Sequence, residues 1–279
     1  MKFFKEGIGE IPGLFSLEHL IFVVIAAILL FLLLFFSLKK KDLNIDKIIK
    51  ICFFVTFILE ILKIIWNLTL REDVTFSDWI PLYFCSIFIY ASFLATFFKG
   101  RIKDTGLAFI YHGGIIGGII YFICPNTCLL VHPFIHVLTV HALIYHVILI
   151  YLGVLIVLKK VYQPKVSYLT HYLIITFSVC ILAYITNLIL DSNLMLISKD
   201  FGTWPLTVVY KTFKGFYPLV VSLLQNFGTF FVSLGIYVLV IKIIENKRNK
   251  AEVNKSLWFK NTSVFVYIFK KYLAKKKCL

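Results

Sequence analysis

Cys85 and His141 are the two side chains in this 279-residue sequence that look like a nucleophile and its base. A thiol in apolar surroundings is inert. A histidine or lysine beside it can make it a thiolate that attacks an acyl carbonyl, with the histidine serving as base and then as acid. Cys85 lies in Ile80-Pro81-Leu82-Tyr83-Phe84-Cys85-Ser86-Ile87, about 9 Å inside one end of an apolar run at about 1.5 Å per residue. His141 lies about 12 Å inside the same end of another run. The two meet if their helices are neighbours. Against this stands the ordinary role of cysteine as a small hydrophobe, common in membrane helices.

Other residues could support such chemistry. Glu60 and Lys63 are three apart and share a helix face with Asn67 close by. An ion pair there neutralises itself and fixes packing, or positions the histidine, or binds a headgroup. Tyr184, Asn187 and Asp191 form one stripe, and Asn193 and Gln225 are further polar candidates for substrate contact. His132, His136, His141 and His146 are spread around their helix by steps of four and five residues, so no two-histidine metal face and no cofactor are expected. Gly113, Gly114, Gly117 and Gly118 make a small-residue face for close helix packing. Cys124 and Cys128 flank the turn Pro125-Asn126-Thr127, where they form a small external disulfide or a weak metal pair.

These residues share one depth. Glu18, His19, Glu60, Lys63, Asn67, Cys85, His136, His141, Asn187, Gln225 and Asn226 all fall in the half of the apolar segments away from the lysine-rich loops. Polar groups in hydrocarbon are costly and persist where they pair, line a cavity or react. Glu60, Cys85, His141, Asn187 and Gln225 are therefore expected to line a common cavity.

The positioning elements follow from composition. Hydrophobic residues make up 60% of the chain, well above the 45–50% or so of soluble domains. The reading is an all-α, polytopic transmembrane bundle of seven helices, over residues 17–38, 51–70, 79–98, 105–123, 133–158, 168–190 and 216–244. The first is a retained helix rather than a cleaved signal. Of the 29 Lys and Arg, 22 fall in alternate loops and the tail, six on the other side and Lys63 inside a span. That asymmetry puts the amino terminus outside and the carboxy terminus in the cytoplasm. Residues 1–245 form the transmembrane domain and 246–279 a basic cytoplasmic tail, in which 258–273 either lies on the inner leaflet or is a disordered basic run. The net charge of +15 sits where cytoplasmic loops carry it. It fits anionic headgroups at the cytoplasmic face of a cell membrane, not nucleic acid. Three of the six cysteines lie inside spans, which argues against a disulfide framework, and no internal repeat of a transporter kind is visible.

The sequence resembles the YwaF-like bacterial integral membrane proteins, relatives of animal transmembrane protein 164, through most of its length up to the seventh helix. The resemblance rests on Phe15-Ser16-Leu17-Glu18-His19, on Glu60 through Trp66, on Leu82-Tyr83-Phe84-Cys85-Ser86-Ile87, on Thr139-Val140-His141 and on Asp191-Ser192-Asn193-Leu194-Met195-Leu196. Tyr83 stands where the family usually has histidine. The animal relative is a phospholipid acyltransferase that works through a cysteine and a histidine. The resemblance implies Cys85 and His141 for those roles.

Two classes of function follow. In the first, a lipid acyltransferase or acyl hydrolase uses Cys85 and His141, with Glu60, Lys63, Asn67, Asn187, Asn193 and Gln225 contacting substrate. In the second, the same polar cluster is the vestibule of a small-solute carrier or of a non-catalytic seven-helix ligand-binding protein. The poverty of polar groups in the inner half, besides His112, speaks against the carrier.

Overall fold

The computed structural model describes residues 2–4, 9–71, 75, 79–200, 202 and 206–248. The basic tail, including 258–273, lies outside the described residues, as do the acidic Glu6, Glu72, Asp73 and Asp78. The chain divides into Met1–Leu234 and Gly235–Leu279.

The described residues form seven helices and no strand: α1 (Leu17–Lys39), α2 (Ile45–Leu70), α3 (Ile87–Phe97), α4 (Gly100–Ile123), α5 (Val137–Leu158), α6 (Leu169–Leu190) and α7 (Leu206–Arg248). Five of them, α1, α4, α5, α6 (counted from Val166) and α7, are long and apolar enough to cross a membrane. Ser16 and Asn44 cap α1 and α2 by accepting from His19 N and Lys47 N, which satisfies donors that a helix start leaves free.

The exposed surface explains why this chain needs a bilayer. In α1 only His19, Phe22 and Ala26 are buried, while Leu17, Phe31 and Phe36 are among many large apolar side chains that face outward. A soluble protein rarely exposes contiguous apolar surface on this scale. In lipid it is the ordinary outer face of a helix.

The core is built on α4, which packs against α3, α5 and α6. Small residues permit the approach. A Cβ on Gly106 would collide with the backbone of Ala91 and Ala95 in α3, and one on Gly118 would meet Ile150 and the His146 carbonyl in α5. The expected small-residue face of α4 is thus a packing face.

Toward the lysine-rich end, His112 is buried in a hydrogen-bonded chain. Its Nδ1 lies 2.6 Å from Ser233 Oγ and its Nε2 lies 3.1 Å from the Tyr162 hydroxyl. Ser233 Oγ donates to the Thr229 or Phe230 carbonyl, so it accepts from His112 Nδ1–H, and Tyr162 O–H donates to Nε2. The chain runs from the α5–α6 connection through α4 to α7. Fixing α7 further, Tyr172 of α6 donates to the Gln225 carbonyl and pairs with Thr229 Oγ1. The carbonyl of Gln225 is available because α7 passes through a π-helical turn at Leu224–Gly228.

Five helix starts depart from expectation. α2 begins at Ile45 rather than 51 and α4 at Gly100 rather than 105, so both helices take in residues expected in the lysine-rich loops. α3 starts at Ile87 rather than 79, because Pro81 lacks an amide donor and biases Ile80 away from helix. Tyr90 then folds the segment back by donating to the Pro81 carbonyl at 3.0 Å. α5 starts at Val137, not 133, with His136 as its N-cap accepting from Leu138 N. α7 begins at Leu206 rather than 216, because Lys214–Phe216 is a 3₁₀ turn that kinks the helical run instead of ending it.

Candidate functional site

Glu60 and Lys63 organise the end of the bundle where α2, α4 and α6 finish. They sit one turn apart on α2 and pair at 2.5 Å, with the Glu60 side chain buried and Lys63 partly exposed. Burial of an ion pair is expensive unless charge and geometry are matched. This one also serves several neighbours. The Lys63 charge acts on Cys85, Cys128, His141 and His146. The Glu60 charge acts on Cys85, Tyr90, Cys128 and Tyr145.

Cys85 lies in the turn before α3, not six residues inside a helix as its apolar setting suggested. Gly117 of α4 makes room for it: a Cβ there would stand 3.7 Å from the Cys85 sulfur and 3.3 Å from the Phe84 ring. The Tyr145 hydroxyl donates to the Cys85 carbonyl at 3.2 Å. One turn earlier on α5, His141 stacks on the Tyr145 ring at 5.7 Å. Tyr145 thus touches both expected catalytic residues. Cys85 and His141 do not hydrogen-bond to each other. Both His141 ring nitrogens are buried and unpaired; the Leu59 carbonyl is near the ring, but without hydrogen-bond geometry.

His141 and Lys63 are the polar residues of a small lateral pocket of about 130 Å³ between α2 and α5, otherwise walled by Leu59, Leu62, Val140, Ile144 and other apolar groups. Several of these, Leu62, Val140 and Ile144 among them, are exposed on the apolar flank of the bundle. Asn67 is buried one turn beyond Lys63.

Behind the pocket His146 stacks flat on Tyr121 at 3.6 Å and its Nδ1 donates to the Ala142 carbonyl at 2.8 Å. Cys128 packs on the cluster of Phe22, Tyr121, Leu129 and Ala142. Cys124 and Cys128 are not joined by a disulfide, and burial pushes each thiol up from its ordinary value. Nearer the surface, Trp66 stands edge-on to the stacked rings of His132 and His136 and donates to the Phe4 carbonyl at 3.0 Å. Burial, then the neighbouring His136 and Arg71, hold His132 down at about 4, and burial lowers His136. No group of three or more His, Cys, Asp or Glu with the makings of a metal site exists among the described residues.

The remaining expected residues fall elsewhere. His19 ties α1 to α4: its Nε2 donates to the Phe122 carbonyl at 2.9 Å and its Nδ1 accepts from Phe15 N. Glu18 beside it is exposed. Asn187 and Asn193 hold the α6–α7 connection. Asn187 Oδ1 accepts from Leu194 N and Ser192 Oγ, and its Nδ2 donates to the Leu194 carbonyl and Ser198 Oγ. Asn193 Oδ1 accepts from Ser198 N and Lys199 N. Gln225 Nε2 donates to the Met195 carbonyl at 2.7 Å, while Gln225 Oε1 and Asn226 Oδ1 are buried and unpaired. The expected polar residues therefore form two clusters, one around Lys63 and one around this connection. Tyr145 was missed in the sequence, although its place one turn after His141 put it on the same face. Cys128 was read only as a partner for Cys124.

The family model for the TMEM164 family matches residues 14–236. The chain belongs to the TMEM164 family. The matched stretch runs from two residues before the α1 cap into α7 and contains every residue of the Lys63 cluster. The likeness read from Cys85, His141 and their flanking motifs agrees with TMEM164 membership. No curated protein matches the chain, and no solved structure does.

Proposed function

We propose that this protein is an acyl-transfer enzyme of the membrane, with Cys85 as nucleophile and His141 as its base. The observation that supports the reading most is the buried, unpaired imidazole of His141. With Lys63 it lines an apolar pocket on the flank of the bundle, and it shares Tyr145 and the Lys63 charge with the Cys85 thiol, which lies outside that lining. An unpaired buried polar group costs about 1–3 kcal/mol, so its retention calls for a partner that arrives with the substrate.

In the first step His141 takes the Cys85 proton and the thiolate adds to the ester carbonyl of a phospholipid. The ester C–O bond breaks, the acyl group stays on sulfur as a thioester, and the departing lysolipid oxygen takes the proton back from His141. In the second step an acceptor hydroxyl, from a lysolipid or from water, gives its proton to His141 and attacks the thioester, and the thiol is restored. The Lys63 ammonium balances the charge that develops on sulfur and oxygen. Glu60 holds Lys63 in place, and Asn67 extends the polar wall. Approach of Cys85 to His141 belongs to the substrate-bound state, since catalytic hydrogen bonds are often long before substrate arrives. We place the lysine-rich loops in the cytoplasm, against anionic headgroups of the cell membrane, which puts this chemistry in the outer leaflet half.

The test is acyl transfer from a labelled phospholipid to lysophospholipid by the full chain in phosphatidylcholine vesicles. Cys85→Ala and His141→Ala should each abolish transfer, and the double change should cost no more than either, because residues acting as a unit lose the function once. A Cys85→Ala protein with full transfer activity would refute the enzyme. The pocket would then be a ligand-binding site, the reading favoured by the lack of a direct Cys85–His141 hydrogen bond.

A further inference from the structure

We propose that a pocket at the start of α7 binds the phosphate of an anionic lipid headgroup through Lys211 and Lys214. The site is separate from the Cys85 cluster and its test does not depend on any catalytic activity.

α7 opens with Leu206–Phe213, a stretch with no buried residue. Its apolar side chains, with those of the next turns, face outward: Val208, Phe213, Phe216 and Leu219 are all exposed, Phe216 at 71%. A two-faced helix of this kind lies at the headgroup level of a bilayer, apolar side toward the acyl chains. The run then kinks. Lys214 takes a left-handed backbone (φ 43°), a conformation that residues with a Cβ rarely adopt. Tyr217 follows as a fully buried anchor, its hydroxyl donating to the Leu196 carbonyl at 2.8 Å.

The kink leaves a pocket of about 660 Å³ lined by Ser198, Tyr210, Lys211, Lys214, Gly215 and Pro218. That is within the size range of small-molecule sites, roughly 300–1,000 Å³. Among the described residues its lining holds two cations and no carboxylate. The nearby acids are already engaged. Asp191 pairs with Lys199 at 2.6 Å, and Asp200 Oδ1 accepts from Gly202 N and Thr207 Oγ1. Neither Lys211 nor Lys214 makes an ion pair among the described residues. Ser198 Oγ accepts from Asn187 Nδ2, which leaves its own hydrogen to donate.

The loop that carries Ser198 to the pocket is built to stay in place. Asp191, Met195 and Leu196 all adopt left-handed backbones, and Asn187 and Asn193 fix the loop through their amides. Strain of this kind persists only where the surroundings over-determine it, and it gathers at ligand clamps. Two free ammonium groups, a hydroxyl donor and a fixed loop beside an apolar, lipid-facing helix suit a phosphate carried on a lipid.

The experiment uses the purified full chain in a neutral maltoside detergent and follows thermal unfolding while dioctanoyl phosphatidylglycerol, dioctanoyl phosphatidylcholine or sodium phosphate is added. Ligand that binds the folded state raises Tm with concentration. We expect a saturable rise with phosphatidylglycerol and none with phosphatidylcholine at the same concentrations, with sodium phosphate acting only at far higher concentration. Lys211→Gln/Lys214→Gln should weaken the apparent phosphatidylglycerol affinity about tenfold or more, from a contribution of about 1 kcal/mol per lysine at a membrane surface. Its lipid-free Tm should match that of the unaltered protein. Lys211→Arg/Lys214→Arg and the distant Lys159→Gln/Lys160→Gln should keep the effect. If the double glutamine variant does not fold, each single variant should show about half the loss on a logarithmic scale. The proposal is overturned by undiminished phosphatidylglycerol binding in the glutamine variants or by equal stabilisation from phosphatidylcholine. Equal stabilisation by sodium phosphate assigns the site to a free anion and overturns the lipid.

Discussion

Replacing His112 with phenylalanine tests whether α7 is held to the bundle by a hydrogen-bonded chain or by packing alone. The phenyl ring keeps the contacts with Phe230 at 4.1 Å and with Tyr172 at 5.8 Å. It removes the links to Tyr162 and Ser233. Ser233 loses only a donor, since its own hydrogen stays on the Thr229 or Phe230 carbonyl. Tyr162, 2% exposed, loses its acceptor outright. A buried hydroxyl left unpaired costs about 1–3 kcal/mol in water-soluble proteins. Polar pairs inside membranes average about 0.6 and reach about 1.7 kcal/mol, because the unfolded chain in lipid also finds partners. Tyr162 belongs to a connection rather than a span, so the larger range governs it. We expect His112→Phe to cost about 2 kcal/mol and Tyr162→Phe about 1 kcal/mol. The double variant should cost about 1 kcal/mol less than the sum, since it deletes both halves of one pair. The assay is reversible unfolding of the full chain in mixed micelles by titration with dodecyl sulfate. Strictly additive losses, or single variants within about 0.3 kcal/mol of the parent, would refute the chain as a source of stability.

Three further outcomes are expected. With its folded-state value near 4 against an ordinary 6.5, the imidazole of His132 stays neutral in the fold where the unfolded chain takes up a proton. Its contribution is complete above about pH 6.5 and is lost as pH falls toward 4, about 1–3 kcal/mol in all; His132→Phe should flatten the pH dependence of Tm over that window, and an unchanged slope counts against the assignment. Gly106→Ala should destabilise by about 1–3 kcal/mol through overpacking against the α3 backbone, read in the same micelle titration, whereas Gly235→Ala, with open space at its Cβ, should not. Reporter fusions after Lys41, Lys103 and Lys160 should all report cytoplasm, and an external signal from any of them breaks the topology.

The all-helical class was legible because burial in lipid inverts the usual pattern: long apolar runs broken by lysine-rich loops have few other readings. The Glu60–Lys63 pair was legible too, since three-residue spacing on a helix leaves little freedom. Placement of Cys85 was not. Hydropathy treats residues 79–98 as one run, but Pro81 and the Tyr90 hydrogen bond turn the first third into an irregular segment, and apolarity carries no information about backbone direction. The common cavity drawn through Asn187 and Gln225 rested on depth alone. Depth fixes one coordinate of three, and the two residues lie around a different set of helices, where Asn187 spends both ends of its amide on a loop that follows it. Tyr145 went unnoticed because a tyrosine in a membrane helix carries no formal charge to draw attention, although its hydroxyl is the group that reaches the Cys85 carbonyl.

The π-helical turn at Leu224–Gly228 acts as a register setter. Relative to an α-helix it holds one extra residue, and one residue corresponds to about 100° of rotation. Everything after it is therefore turned by that amount, and this rotation is what brings Thr229 to Tyr172 and Ser233 to His112. The same residues wound as an uninterrupted α-helix, of equal hydropathy and equal fitness for the bilayer, would carry Thr229 and Ser233 a quarter-turn or more away from their partners. A single-residue deletion within the turn would not: it removes the residue that the turn absorbs, so the bond from Thr229 N to the Leu224 carbonyl becomes an ordinary α-helical one and the face stays in place. The identity of the docked face is thus written in one extra residue and the turn that takes it up, and that turn is the place in the helix where a lost codon leaves the docked side unchanged.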